Sequence, residues 1–193
     1  MFTRLESVNR ILLSAGHGGL AGEDYDSGAT FQGYSENVEV KQIIARLLPK
    51  LTSNGIVVVA IPDYGLSRTI SYINGQYDAS TDWGLEIHKD SAESFSIGMK
   101  QRMGVYYHPT SFESREIANN MVEKFIRYGA NEFSWSRPDT DSNHGTLGWI
   151  RKPKMLTHLI ECGFMEDNLD NNADEFYASA IAYVILSCLE RQI

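Results

Sequence analysis

Cysteine and proline are scarce in this chain, with two cysteines and five prolines in 193 residues. Cys162 and Cys188 stand far apart in apolar surroundings, which excludes a disulfide scaffold and a metal site built from cysteine alone. No polar linker and no internal repeat interrupts the chain. Its length suits one domain with a sizeable core, predicted to span residues 1–193, rather than two independent domains. Positive charge is also short: 17 Lys plus Arg against 25 Asp plus Glu give a formal net charge of -8. That balance opposes attraction to a polyphosphate surface and argues against nucleic acid as a partner. Long hydrophobic runs are missing, so no transmembrane segment is expected. The first ten residues, MFTRLESVNR, are polar and lead into a very short apolar run, so no signal peptide is expected either. The glycine-rich stretch AGHGGLAG lacks the residue order of either common phosphate-binding loop, and the compact HExxH metal signature is absent.

What is present is an alternation of two periodicities. Ile11–Ser14 reads as a buried strand that breaks at glycines, followed by a loop from Leu20 to Gly33. In SENVEVKQIIARLLPKL, Val40, Ile43, Ile44, Leu47 and Leu51 recur at helical spacing, with Ser35 as the cap and Pro49 placed to kink the last turn. IVVVAI, rich in β-branched residues, reads as a central strand, and Leu66–Asn74 as a short helix. GLEIH reads as a strand with Leu85 and Ile87 on one face and Glu86 and His88 on the other. GVYYH is a further strand, and SREIANNMVEKFIRYG a helix striped by Ile117, Met121 and Phe125 and ending at Gly129. A polar loop is expected from Arg137 to Gly145, then a strand at THLIECGF. A final helix offers Tyr177, Ile181, Val184, Ile185 and Cys188 for burial. This order predicts a single α/β domain with a central mixed, mainly parallel β-sheet flanked by helices. Ligands of such a sheet bind beyond the carboxyl ends of its strands.

Ionisable residues stand at those ends. His17 follows the first strand, His88 ends GLEIH, Glu161 ends the apolar run THLIE, and Glu36 opens the first long helix. Two histidines and a carboxylate form a common catalytic zinc set, and a further carboxylate suits proton transfer. Each also has an ordinary explanation: a loop histidine, a favourable first-turn anion, a sheet-edge histidine, a buried carboxylate. Glu86 shares a strand face with His88 and reads as its orienting partner, a competing ligand or a solvated residue. His144, in the polar loop, is a candidate substrate contact. Arg151 in GWIRKPK is either a contact for a substrate carboxylate or carbonyl, or a surface residue. His158 lies three positions before Glu161, on the opposite strand face, and is left out of the site. Cys162 adjoins Glu161, faces away from it, and reads as a buried thiol rather than a nucleophile.

Taken in order, LLSAGHGG with His17, GYSENVEVKQIIARL with Glu36, LEIHKDSA with His88 and HLIECGFMEDNLD with Glu161 resemble the zinc-dependent N-acetylmuramoyl-L-alanine amidases of bacterial cell-wall hydrolases and phage endolysins. The resemblance runs from about residue 10 to about residue 190, so it leaves no room for a separate wall-binding module. It implies that His17, Glu36 and His88 bind Zn2+ and that Glu161 is the catalytic carboxylate. The implied reaction is hydrolysis of the amide between N-acetylmuramic acid and L-alanine in peptidoglycan or a muropeptide. A zinc peptidase, an amidase for another acylated amine and a non-enzymatic peptidoglycan-binding protein are the competing readings. Four details depart from the family pattern. Ser14-Ala15 replaces an acid-proline pair, Glu86 the serine before the second histidine, and Asp90 an asparagine after it, while Cys162 stands between Glu161 and Gly163. The second and third make the site more acidic. The expected setting is synthesis in the cytoplasm and action at the bacterial cell wall, as for a phage enzyme released by a separate step. With a net charge of -8, wall recognition is expected from the catalytic groove or a partner rather than a cationic surface.

Overall fold

The computed structural model describes residues 3–19, 25–91, 100–166 and 173–189. A short helix α1 (Thr3–Glu6) leads into β1 (Arg10–Ala15), a hairpin of β2 (Thr30–Phe31) and β3 (Tyr34–Ser35), α2 (Glu36–Thr52) and β4 (Val57–Ala60). Then come α3 (Leu66–Gln76), β5 (Asp82–Asp90), β6 (Met103–Tyr107), α4 (Phe112–Tyr128) and β7 (Trp135–Pro138). A 3-10 turn (Asp139–Asp141), α5 (Gly148–Arg151), β8 (Leu156–Phe164) and α6 (Ala173–Cys188) complete the order. Positions 20–24 of the expected loop, Ala92 of LEIHKDSA, positions 167–170 of the last motif and the tail 190–193 lie outside the described residues.

The main sheet has the order β4-β1-β5-β8-β6-β7. Every pairing in it is parallel except β6 with β8, so the mixed, mainly parallel sheet is as expected. Alternation along each strand splits the apolar residues between two layers. Leu13, Leu85, Ile87, Val105 and Ile160 face α2, α4 and α6, whose buried stripes include Ile43, Leu47, Ile117, Met121, Phe125, Ile181 and Ile185. Leu12 and Leu159 face the opposite way, towards Ile73 of α3 and Trp149 of α5.

Four local expectations need correction. The IVVVAI strand is at the edge of the sheet, pairing with β1 alone, and Val57 is 58% exposed. Val58 and Val59 each pack against one helical layer, so this edge strand is nearly as apolar as a central one, and composition does not register its open hydrogen-bonding side. The expected loop ends in strand β2, which pairs with β3 just beyond it through a two-residue turn in which Gln32 and Gly33 both have positive φ, 48° and 85°, the primed turn that suits strand twist. Ser35 occupies the cap position of α2 but makes no side-chain cap bond. The Glu36 and Asn37 N–H groups donate instead to the carbonyls of Ala29 and Ser27, at 2.8 and 3.2 Å. α2 itself runs through Pro49 to Thr52. Part of the expected polar loop is also strand: β7 is short, ends in Pro138 and lies at an edge, where the missing N–H costs no ladder bond.

His158 is fully buried on the face away from Glu161. Trp83 Nε1 donates to its Nδ1 at 3.0 Å, which leaves the proton on Nε2, donated to the Ser114 carbonyl at 2.9 Å. Burial pushes its pKa down to about 4. A histidine held neutral contributes fully above its ordinary value of 6.5, and that contribution is lost as pH falls from there towards 4, about 3 kcal/mol in all. Denaturant unfolding at pH 7 and pH 4.5 is therefore expected to show a steeper acid loss for the native protein than for His158→Gln. Equal losses would assign the acid sensitivity to other groups.

Candidate active site

His17, Glu36 and His88 converge at the carboxyl ends of β1 and β5, with one ligating atom of each within 4.8 Å of the others. His17 sits just past β1 at φ 62°, a left-handed conformation that costs energy for a non-glycine residue and is typical of functional sites. His88 comes from the last part of β5, and Glu36 is the first residue of α2.

Glu36 is buried and heavily constrained. Its Oε1 accepts from the Lys89 N–H at 3.0 Å and faces His88 Nδ1 at 2.8 Å; its Oε2 accepts from the Ala29 N–H at 2.9 Å and faces His17 Nε2 at 3.1 Å. The remaining ring nitrogens also meet carboxylates. His17 Nδ1 lies 2.7 Å from Asp26 Oδ2, and His88 Nε2 lies 3.1 Å from Glu86 Oε2. A carboxylate behind a ligating imidazole fixes the ring and raises its basicity, so the donor set fits a divalent cation. Glycine at position 28 is required for this packing. At φ +67°, a Cβ there would lie 2.5 Å from both Glu36 Oε2 and His17 Cδ2.

The electrostatics follow. Burial opposes ionisation of Glu36, but hydrogen bonds from His17 and His88 outweigh it and hold the carboxyl well below the usual range. Burial likewise opposes a charged His88, yet its bonds to Glu36 and Glu86 raise it well above its ordinary value. The Glu36 hydrogen bond raises His17. A metal entering the cluster must displace these protons.

Glu161 stands on β8 in register with His88 on the adjacent parallel strand, about 4.8 Å away along the hydrogen-bonding direction. Burial pushes its carboxyl up to about 7. It lines a cavity of about 280 Å³ together with His17, Glu36 and His88, and Asn143 and His144 stand at the rim. All four residues are thus in one cleft. The Arg151 guanidinium is held by Asp139, at 2.6 Å from both Nε and Nη2. Asp139, fully buried, also accepts from the Leu147 N–H at 3.0 Å, so Arg151 braces the loop that carries His144. Cys162 is buried on the opposite face, and burial raises its thiol pKa.

Asp26 and Asn37 were not singled out from sequence. Asp26 is one of several acids in a glycine-rich stretch, and the backbone pairing of Gly18 with Asp26 brings it to His17. Asn37, fully buried, donates from Nδ2 to the Gly16 carbonyl at 3.0 Å and ties α2 to the turn bearing His17.

The profile of the family described as N-acetylmuramoyl-L-alanine amidase matches residues 11–191. The chain belongs to this family. It is a metal-dependent amidase that hydrolyses an amide bond of peptidoglycan. No curated protein matches it by sequence. Among solved structures, it is similar to the N-acetylmuramoyl-L-alanine amidase AmiC2 of Nostoc punctiforme, at 22% identity and TM-score 0.70, covering 94% of this chain and 97% of that one. An amidase from Clostridium difficile 630 superposes with TM-score 0.73 at 20% identity, covering 97% and 100%. The catalytic domain of an endolysin targeting Clostridium difficile gives 0.67 at 21%, covering 95% and 98%. At these identities the likeness is one of fold. No helix among the amidase's described residues is long and apolar enough to cross a membrane.

Proposed function

We propose that the cation is Zn2+, held by His17, Glu36 and His88, and that Glu161 is the catalytic acid-base in cleavage of the bond between the lactyl group of N-acetylmuramic acid and the first L-alanine of the stem peptide. The observation that carries this reading is the convergence of the three donors within 4.8 Å in the cleft that also holds Glu161. Two imidazoles and one carboxylate are a common donor set of catalytic zinc. Bound there, zinc supplies a lowered water pKa and polarisation of the scissile carbonyl. Glu161 takes a proton from the attacking water and passes it to the departing amine nitrogen. The C–N bond breaks, a C–O bond forms, and the products are a lactyl carboxylate and a free peptide amine. Asp26 and Glu86 hold the two imidazoles in orientation, and the Ala29 and Lys89 amides hold Glu36. Action at the cell wall belongs to the same proposal, since that is where this substrate lies.

The test uses purified amidase and defined muropeptides, with mass spectrometry of the products. Release of the intact stem peptide is expected, together with its loss on chelation and its return on stoichiometric Zn2+. Cleavage inside the peptide, or full activity in a chelated sample, would overturn the assignment.

A further inference from the structure

On the side of Glu161 away from His17, the sheet face of β6 and β7 forms a second, smaller cavity of about 150 Å³ that is continuous in its lining with Glu161. Its floor is aromatic. Gly104 leaves the β6 backbone open to the Trp135 ring, which a Cβ there would meet at 2.3 Å, and Tyr106 packs edge-on against Trp135 at 4.8 Å between centroids. Two guanidiniums border it. Arg102 and Arg137 are close enough for Arg137 to oppose the charge on Arg102, whose pKa is lowered first by burial and then by that neighbour. Among the described residues neither is in an ion pair. Arg102 Nε donates to the Phe133 carbonyl at 2.9 Å, and the Arg137 guanidinium lies 4.7 Å over the Trp135 ring. This contrasts with Arg10 and Arg151, each held by an internal aspartate at 2.6 Å. Asp90 and Asp141 line the same trench without pairing with either arginine, so the site carries both signs and suits a short peptide better than a polyanion.

The chemistry orients the substrate, and here the inference rests on the proposed role of Glu161. A group that protonates the departing nitrogen stands on the leaving-group side of the scissile bond, and the leaving group is the peptide. The trench borders Glu161 on the side of β8 away from the donor cluster, where a peptide leaving from Glu161 has room to lie. We propose that it is the stem-peptide subsite, in which Arg102 and Arg137 bind a free carboxylate of the peptide while its backbone lies over Trp135 and Tyr106. Arginine suits this task because its planar fork pairs with a carboxylate through parallel hydrogen bonds.

Binding can be read without turnover. Calorimetric titration of the zinc-loaded amidase with synthetic stem tripeptide, its carboxylates free in one preparation and converted to amides in the other, is expected to favour the free acid by roughly tenfold or more. In Arg102→Gln/Arg137→Gln the two peptides should bind alike, near the level of the amide in the native protein, while Arg115→Gln, remote from the trench, keeps the preference. In hydrolysis of the matching muropeptides the double substitution should raise KM for the free acid and leave kcat and the amidated substrate nearly unchanged. Equal binding of both peptides by the native protein would overturn the subsite even if hydrolysis is normal. A carboxylate preference that persists in the double variant would overturn the arginine assignment. Carboxylate-dependent binding with no amide cleavage would sink the acid-base reading and leave the subsite standing.

Discussion

Glu161→Gln is expected to lower kcat by between roughly 100-fold and 10,000-fold, the range associated with losing a positioned proton-transfer group. Glutamine keeps the size and the β8 position of the side chain but neither takes nor gives the proton. Metal affinity should hold, because Glu161 is outside the three-residue donor cluster. The pH profile supplies a second readout. A base works in its ionised form, so activity should rise with pH as Glu161 loses its proton. Burial sets that carboxyl at about 7. A cation nearby favours the carboxylate, so the acid limb of kcat/KM in the loaded enzyme is expected at or below 7. In Glu161→Gln that limb should disappear from the residual activity. Undiminished cleavage by this variant, or an unchanged acid limb, would count against the acid-base role.

Gly28→Ala is expected to weaken zinc binding by about 100-fold or more, at least as large as the effect of losing a partner behind a ligand. The added methyl would stand 2.5 Å from both Glu36 Oε2 and His17 Cδ2, so two members of the donor set must move. Alanine at φ +67° also strains the backbone, by about 1–2 kcal/mol. Gly55→Ala separates the two effects: Gly55 has φ +76°, but nothing from the surrounding structure lies within 4 Å of where its methyl group would stand. Calorimetric zinc titration, with circular dichroism to follow folding, should show lost affinity in Gly28→Ala and native affinity in Gly55→Ala, with both chains folded. Equal loss in the two would mean that backbone strain, not the crowding of Glu36 and His17, governs the site.

The four central residues were legible because each occupies a local pattern with a physical cause. Glu86 and His88 fall on one face of β5 because strand side chains alternate, and Glu161 interrupts an apolar strand that would otherwise be buried. Glu36 opens an amphipathic helix whose apolar stripe is complete without it. Asp139 was not legible. Nothing in RPDTDSN distinguishes it from Asp141, yet one is fully buried against Arg151 and the other is exposed. Arg102 and Arg137 were equally silent, since β6 and β7 are adjacent only through a parallel pairing across the whole of α4.

Periodicity, composition and residue order were enough to mark the long helices and the main strands, though not the short elements β2, β3, β7 and α5, together with the mixed α/β class and the candidates His17, Glu36, His88 and Glu161. These are properties of short segments, in which side-chain direction follows from the backbone repeat. Tertiary structure alone decided which segments became neighbours. It put IVVVAI at an edge, brought His88 to Glu36 across 52 residues, set Asp26 behind His17 and opened the arginine-lined trench beside Glu161. The reason is that strand order and loop closure depend on how all the apolar faces are buried together, and no single segment carries that information.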